Sequence, residues 1–249
     1  MAFIDDLGFI VALILAGAAV LTIASIRAFW HILRNDPARV RATIKSSAVP
    51  AGIIGFAALA LGLWIEFTWP FPVSAGLGSY NIFFGDVVSL FGMVMLVYAL
   101  VGYYGLKLEY AGVFGFVAGT ITAWYGYWGY TTLTMSGTFG LTKDPLDTFL
   151  MYGAFALAGV FSLPATLVVD YYLEHPGPSF PKFSLNMRPV PEGAGGNAPA
   201  GEASSPSRYQ VPLWVYLVTV WFPIFMFLAA LAAWFYIGDI LPGHLTSPP

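Results

Sequence analysis

Six long apolar runs punctuate the chain, at residues 7–29, 46–65, 82–104, 111–133, 148–169 and 211–238. Each is close to the roughly 20 consecutive apolar residues that a helix needs to cross a hydrocarbon core. The pattern therefore predicts an all-α fold, a polytopic transmembrane bundle of six spans. One polar interval differs from the others: residues 176–209 hold seven prolines around a Gly/Ala/Ser-rich centre. Such a stretch cannot bury enough apolar surface to offset its chain entropy, so it is expected to be disordered. The expected organisation is a five-span bundle over 1–175, a disordered inner loop over 176–209, and a sixth span with a short outer tail over 210–249.

The cationic residues orient this bundle. Arg27, Arg34, Arg39, Arg41, Lys45, Lys107, Lys182, Arg188 and Arg208 fall on one side of the six runs, and Lys143 alone falls on the other. Basic residues stay on the cytoplasmic side of short loops, so both termini are expected outside, in a multi-pass protein of the cell membrane. The first run is expected to remain as an anchor, because Asp5 and Asp6 precede it and its basic residues follow it. Tryptophans and tyrosines near the run ends form two expected belts, with Trp64, Trp69, Trp124, Tyr125 and Tyr152 in the outer one and Trp30, Tyr103, Tyr104, Tyr110 and Tyr172 in the inner.

Composition agrees. With 58% hydrophobic and 9% charged residues, the chain carries about a third of the charge of a soluble domain. The net charge of −3 hides an acidic outer face and a basic inner one, which points to anionic inner-leaflet lipids and away from nucleic acid. There is no cysteine, hence no disulfide and no thiolate chemistry. The three histidines, His31, His175 and His244, lie at run ends or in loops and show no metal-ligand spacing, so no cofactor or metal is expected. His31 is expected to face headgroups beside Trp30 and Arg34. The polar groups at depth, Thr22, Thr120, Thr122, Ser162, Thr166 and Thr219, can bond to their own helix backbone, and without a midplane charge a proton relay is disfavoured.

Two constellations remain as candidate sites. Glu66 closes the second run at the negative end of its helix dipole, and Asp86 lies near the start of the third, both toward the outer face. With Lys143 they outline an acidic vestibule for a cation, a proton or a polar small molecule; the alternative is a set of independent interfacial acids. Asp144, Pro145 and Asp147 have the pattern of a helix start, which accounts for both carboxylates without chemistry. The second constellation is the stretch Ala123–Tyr130, where Trp124, Tyr127 and Trp128 offer a surface on which a flat ring such as a quinone could stack; its plainer reading is an interfacial belt. Gly115 and Gly119, extended by Gly112, make a smooth face for close helix packing. Pro164 and Pro223 fall inside the fifth and sixth runs, where bends at similar depth can open a cavity, or be plain kinks.

The stretch from Tyr80 to Glu174, including SYNIFFGDVVSLFG (Ser79 to Gly92), the Gly/Tyr/Trp-rich fourth run and DPLDTFLMYGAF (Asp144 to Phe155), resembles the uncharacterised multi-pass membrane family known as domain of unknown function 981, found mainly in archaea. That resemblance implies a polytopic membrane protein and carries over no activity, substrate or catalytic residue.

The sequence expectation for function is a non-catalytic accessory or structural subunit of a larger membrane assembly, for example beside a respiratory or oxidase-type enzyme. Membrane lipids and other membrane-protein subunits are the expected partners. The alternative is a facilitator or binding protein for a small molecule or cation, working through the outer vestibule. A membrane enzyme with carboxylates at the outer surface is the weakest reading, since no histidine is placed to assist.

Overall fold

The computed structural model describes residues 6–70, 79–128, 131, 152–175 and 213–246. Among these the fold is all-helical: α1 (Asp6–Leu33), α2 (Pro37–Thr68), α3 (Ser79–Tyr104), α4 (Glu109–Trp128), α5 (Ala154–Glu174) and α6 (Leu213–Thr246). The stretches Gly8–Leu33, Pro37–Thr68, Asn81–Tyr104 and Ala154–Glu174 are long and apolar enough to cross a membrane, as expected of a membrane protein. Helix α4 is diluted by Gly112, Gly115, Gly119, Thr120, Thr122 and Gly126, and within α6 the described apolar stretch is Thr219–Phe235.

The helices form a closed ring in chain order. Each packs against the next, and α6 closes the circle by packing against both α5 and α1; direct contact across the ring is slight. The seam between α2 and α3 is the most extensive and that between α3 and α4 the lightest. Small residues explain the first. A Cβ at Gly55 would stand 2.8 Å from the Leu96 nitrogen and 2.9 Å from the Gly92 oxygen, and one at Gly62 would stand 2.6 Å from the Ser89 nitrogen and 2.9 Å from the Gly85 oxygen. Without a hydrophobic drive between helices in lipid, such close backbone approach is what lets dispersion hold them together. The same device joins α4 to α5, where Gly119 lies against Gly159 and Gly115 against Ser162. The smooth glycine face of α4 is thus covered by this chain's own α5.

At one end of the ring the connections are short and polar. Residues 34–36 form the whole turn between α1 and α2, so Arg39, Arg41 and Lys45 sit on α2 itself rather than in a loop. The Asp36 side chain caps α2 by accepting from the Arg39 N–H at 3.0 Å, with Pro37 at the first helical position. Gly105, at φ 68°, ends α3, and the Leu106 N–H donates back to the Val101 oxygen at 2.9 Å, the six-to-one bond of a glycine C-terminal motif. Pro50 and Pro164 lie inside α2 and α5.

Candidate carboxyl site and central lumen

At the opposite end of the ring, α2, α3 and α4 bring four polar side chains together. Glu66, in the last turn of α2, and Asp86, in the second turn of α3, are both half-buried, and their carboxyl groups lie close enough to act on each other electrostatically. Ser89 Oγ donates to Glu66 Oε1 at 3.2 Å, and the Tyr125 hydroxyl of α4 donates to Asp86 Oδ2. Gly85 makes this possible, because a Cβ there would lie 2.9 Å from Glu66 Cγ. The result is a chain of donors and acceptors, Tyr125 to Asp86 to Glu66 and Ser89, crossing three helices.

Two carboxylates in contact repel strongly unless they share a proton or face a cation. Among the described residues no lysine, arginine or histidine pairs with either of them. Lys143, and the helix start expected at Asp144, Pro145 and Asp147, lie outside the described residues. Tyr125 is the member that the sequence reading placed elsewhere, in the lipid-facing belt. It sits beside the buried stripe Gly115, Ala118, Gly119, Thr122, Gly126, and its ring stands edge-on to Phe83 at 5.9 Å. Tyr152 and Tyr172, also expected in the belts, are buried.

Trp124, Tyr127 and Trp128 lie on the other face of α4, at 62%, 61% and 48% exposure, and Trp124 meets the other two rings at 6.1 and 6.4 Å. They form an outward patch and do not line the central cavity.

At the basic end several polar groups answer one another. Asp170 of α5, buried, accepts from the Glu109 N–H at 2.7 Å and so caps α4 from a neighbouring helix. Lys107 Nζ lies 2.9 Å from Glu174 Oε1, and that carboxylate raises the lysine above its ordinary pKa. Arg41 donates to the Leu173 oxygen at 3.3 Å and the Tyr172 hydroxyl to Asn35 Oδ1 at 3.2 Å. Arg34 stacks over Trp30 at 4.5 Å. His31, in the last turn of α1, is half-buried, and its Nδ1 has no hydrogen-bond partner. No group of three or more metal-ligating side chains occurs among the described residues.

The helices of the ring border a partly open lumen of about 190 Å³. Its wall is apolar, with Phe83, Val87, Phe91, Phe155, Phe222 and Met226 prominent. The hydroxyls at depth bond to backbone as expected: Thr22 to Ala18, Thr120 to Phe116, Thr122 to Ala118, Ser162 to Gly159 and Thr166 to Ser162, at 2.6 to 3.0 Å.

The chain belongs to the family described as protein of unknown function (DUF981), whose model matches residues 1–173. The match covers α1 to α5 nearly to the last residue and leaves out α6, the helix that closes the ring. No curated protein and no solved structure matches the chain.

Proposed function

We propose that this chain is a six-span protein of the cell membrane, with both termini outside, that binds a cation or a proton at its outer face through Glu66 and Asp86 and performs no chemistry of its own. The carrying observation is the contact between these two carboxyls, with Tyr125 and Ser89 donating to them and no cationic side chain among the described residues to neutralise them. A pair so placed is poised to take up positive charge. Calorimetric titration of the purified protein with Na⁺, K⁺, Mg²⁺ and Ca²⁺, and with acid, tests it. The wild type should take up one of these, and the Glu66→Gln, Asp86→Asn double variant should lose that uptake at least tenfold. Equal uptake by both proteins would contradict the reading.

The orientation rests on the basic residues and has its own test. Because the chain contains no cysteine, single cysteines at Ala38 and Thr68, both exposed, can be labelled on intact cells with an impermeant maleimide. Position 68 should react and position 38 should not; the reverse would invert the topology.

A second reading, the accessory subunit of a larger membrane assembly, is favoured by the outward patch of Trp124, Tyr127 and Trp128. The glycine face of α4 lends it no support, being occupied by α5. Stoichiometric partners co-purifying with the wild type and lost from a Trp124→Ala, Trp128→Ala variant would establish it.

A further inference from the structure

We infer that the lumen of the helix ring holds a single hydrocarbon chain of a membrane lipid. The inference rests on the membrane reading above and is independent of the carboxyl pair. Three observations carry it.

The first is chemistry. Every lining hydroxyl whose bond is described is already engaged within the protein: Ser25 with the Thr22 oxygen at 2.9 Å, Thr122 and Thr166 with their own helices, Ser162 with the Gly159 oxygen and also the Gly112 oxygen at 3.1 Å, and Tyr98 with Ser47 at 2.7 Å. A water needs two or more polar partners, and an apolar cavity without them stays dry and takes apolar guests. A polar substrate would find nothing to bond to.

The second is shape. Along α5 the lining runs from Phe155 to Val169, roughly 21 Å at about 1.5 Å per residue, about two thirds of the roughly 30 Å thickness of a hydrocarbon core. A cavity of about 190 Å³ lined along that length suits a long, thin apolar guest such as one acyl chain.

The third is access. The α3–α4 seam is the lightest in the ring, and at the depth of these helices the species outside it is lipid hydrocarbon. A chain can enter sideways there while its headgroup stays at the interface. The lumen is therefore a lipid slot, and the chain in it supplies the dispersion contacts that an empty bore would lack.

The test uses the full-length protein in liposomes containing a phospholipid with a diazirine near the end of one acyl chain. After flotation and irradiation, labelled peptides are mapped by mass spectrometry. Labelling at Phe91, Phe155 and Met226, in addition to the outward-facing Ile53, Phe56 and Phe227, is the expected result. The lumen-filling variants Val87→Phe and Ala118→Leu should reduce the inner labels at least tenfold and leave the outer ones unchanged. If a variant fails to fold, the wild-type map alone decides. Labels confined to the outer positions would overturn the proposal, as would inner labelling by a photoreactive isoprenoid quinone and not by the phospholipid. Failure of the protein to float with liposomes would instead overturn the membrane reading.

Discussion

The two ends of the ring solve the problem of charge near lipid in opposite ways. At the basic end the carboxylates meet answering groups: Asp170 meets the Glu109 N–H at the start of α4, Glu174 meets Lys107, and Asp36 meets Arg39. At the acidic end Glu66 and Asp86 lie close together, and among the described residues only the neutral hydroxyls of Ser89 and Tyr125 bond to them. A carboxylate that is already satisfied acts as a structural fastener, and removing it leaves a buried donor unpaired. A pair of carboxyls facing each other is incomplete until positive charge arrives. The contrast gives one end an architectural role and makes the other the proposed place of binding.

The sharpest way to break that contrast is to part the helices that create the acidic end. Gly62→Val would push α2 off α3 beside Ser89 and Gly85, costing about 3 kcal/mol by overpacking. It should lower the thermal midpoint in detergent and abolish ion or proton uptake together. Next in size is Asp170→Ala, which leaves the Glu109 N–H without its acceptor; a loss of about 2 kcal/mol is expected, with uptake at the acidic end unaffected. If Asp170→Ala altered uptake and spared stability, the division between the ends would fail. Tyr125→Phe should cost about 1 kcal/mol or less, yet weaken uptake several-fold in the same titration, since the hydroxyl donates to Asp86.

The smallest effect belongs to Lys107→Ala. Glu174 raises the pKa of Lys107 from its ordinary value of 10.5, so whatever stability the pair gives is present below that value and fades only as pH rises through the raised one. Between neutral pH and pH ~9, below the ordinary range for lysine, the lysine should add no slope to stability in a thermal melt. A slope that vanished in Lys107→Ala would show that it titrates lower.

Much of this fold is legible in hydropathy, because a spanning helix advertises itself by length and apolar content alone. The start of α2 is not, since residues 37–45 are polar and read as loop. Yet Asp36 followed by Pro37 is a helix-start signal of the same kind as Asp144–Pro145, and it holds in the structure. The pairing of Glu66 with Asp86 was accessible as two acids at one face, whereas their contact depends on the Gly55/Gly62 and Gly85/Gly92 approach, a heptad-spaced pattern on two helices that only packing brings into register. Tyr125 hid among five aromatics between Ala123 and Tyr130; spacing from Thr122 and Gly126 on the buried stripe distinguishes it from Trp124, Tyr127 and Trp128. Asp170 counted only as an inner charge, because its partner is a backbone N–H 61 residues away in sequence. Closure of the ring by α6 leaves no local signature at all.

The most direct test of the paired site is infrared difference spectroscopy of the carboxyl C=O stretch while pH or cation concentration is stepped. The wild type should show one protonated carboxyl that loses its band when the cation binds or the proton leaves, and Glu66→Gln should remove that response while the helical amide bands stay unchanged. A spectrum with no protonated carboxyl and no response to pH or to any of the four cations would contradict the assignment of binding to this end of the ring.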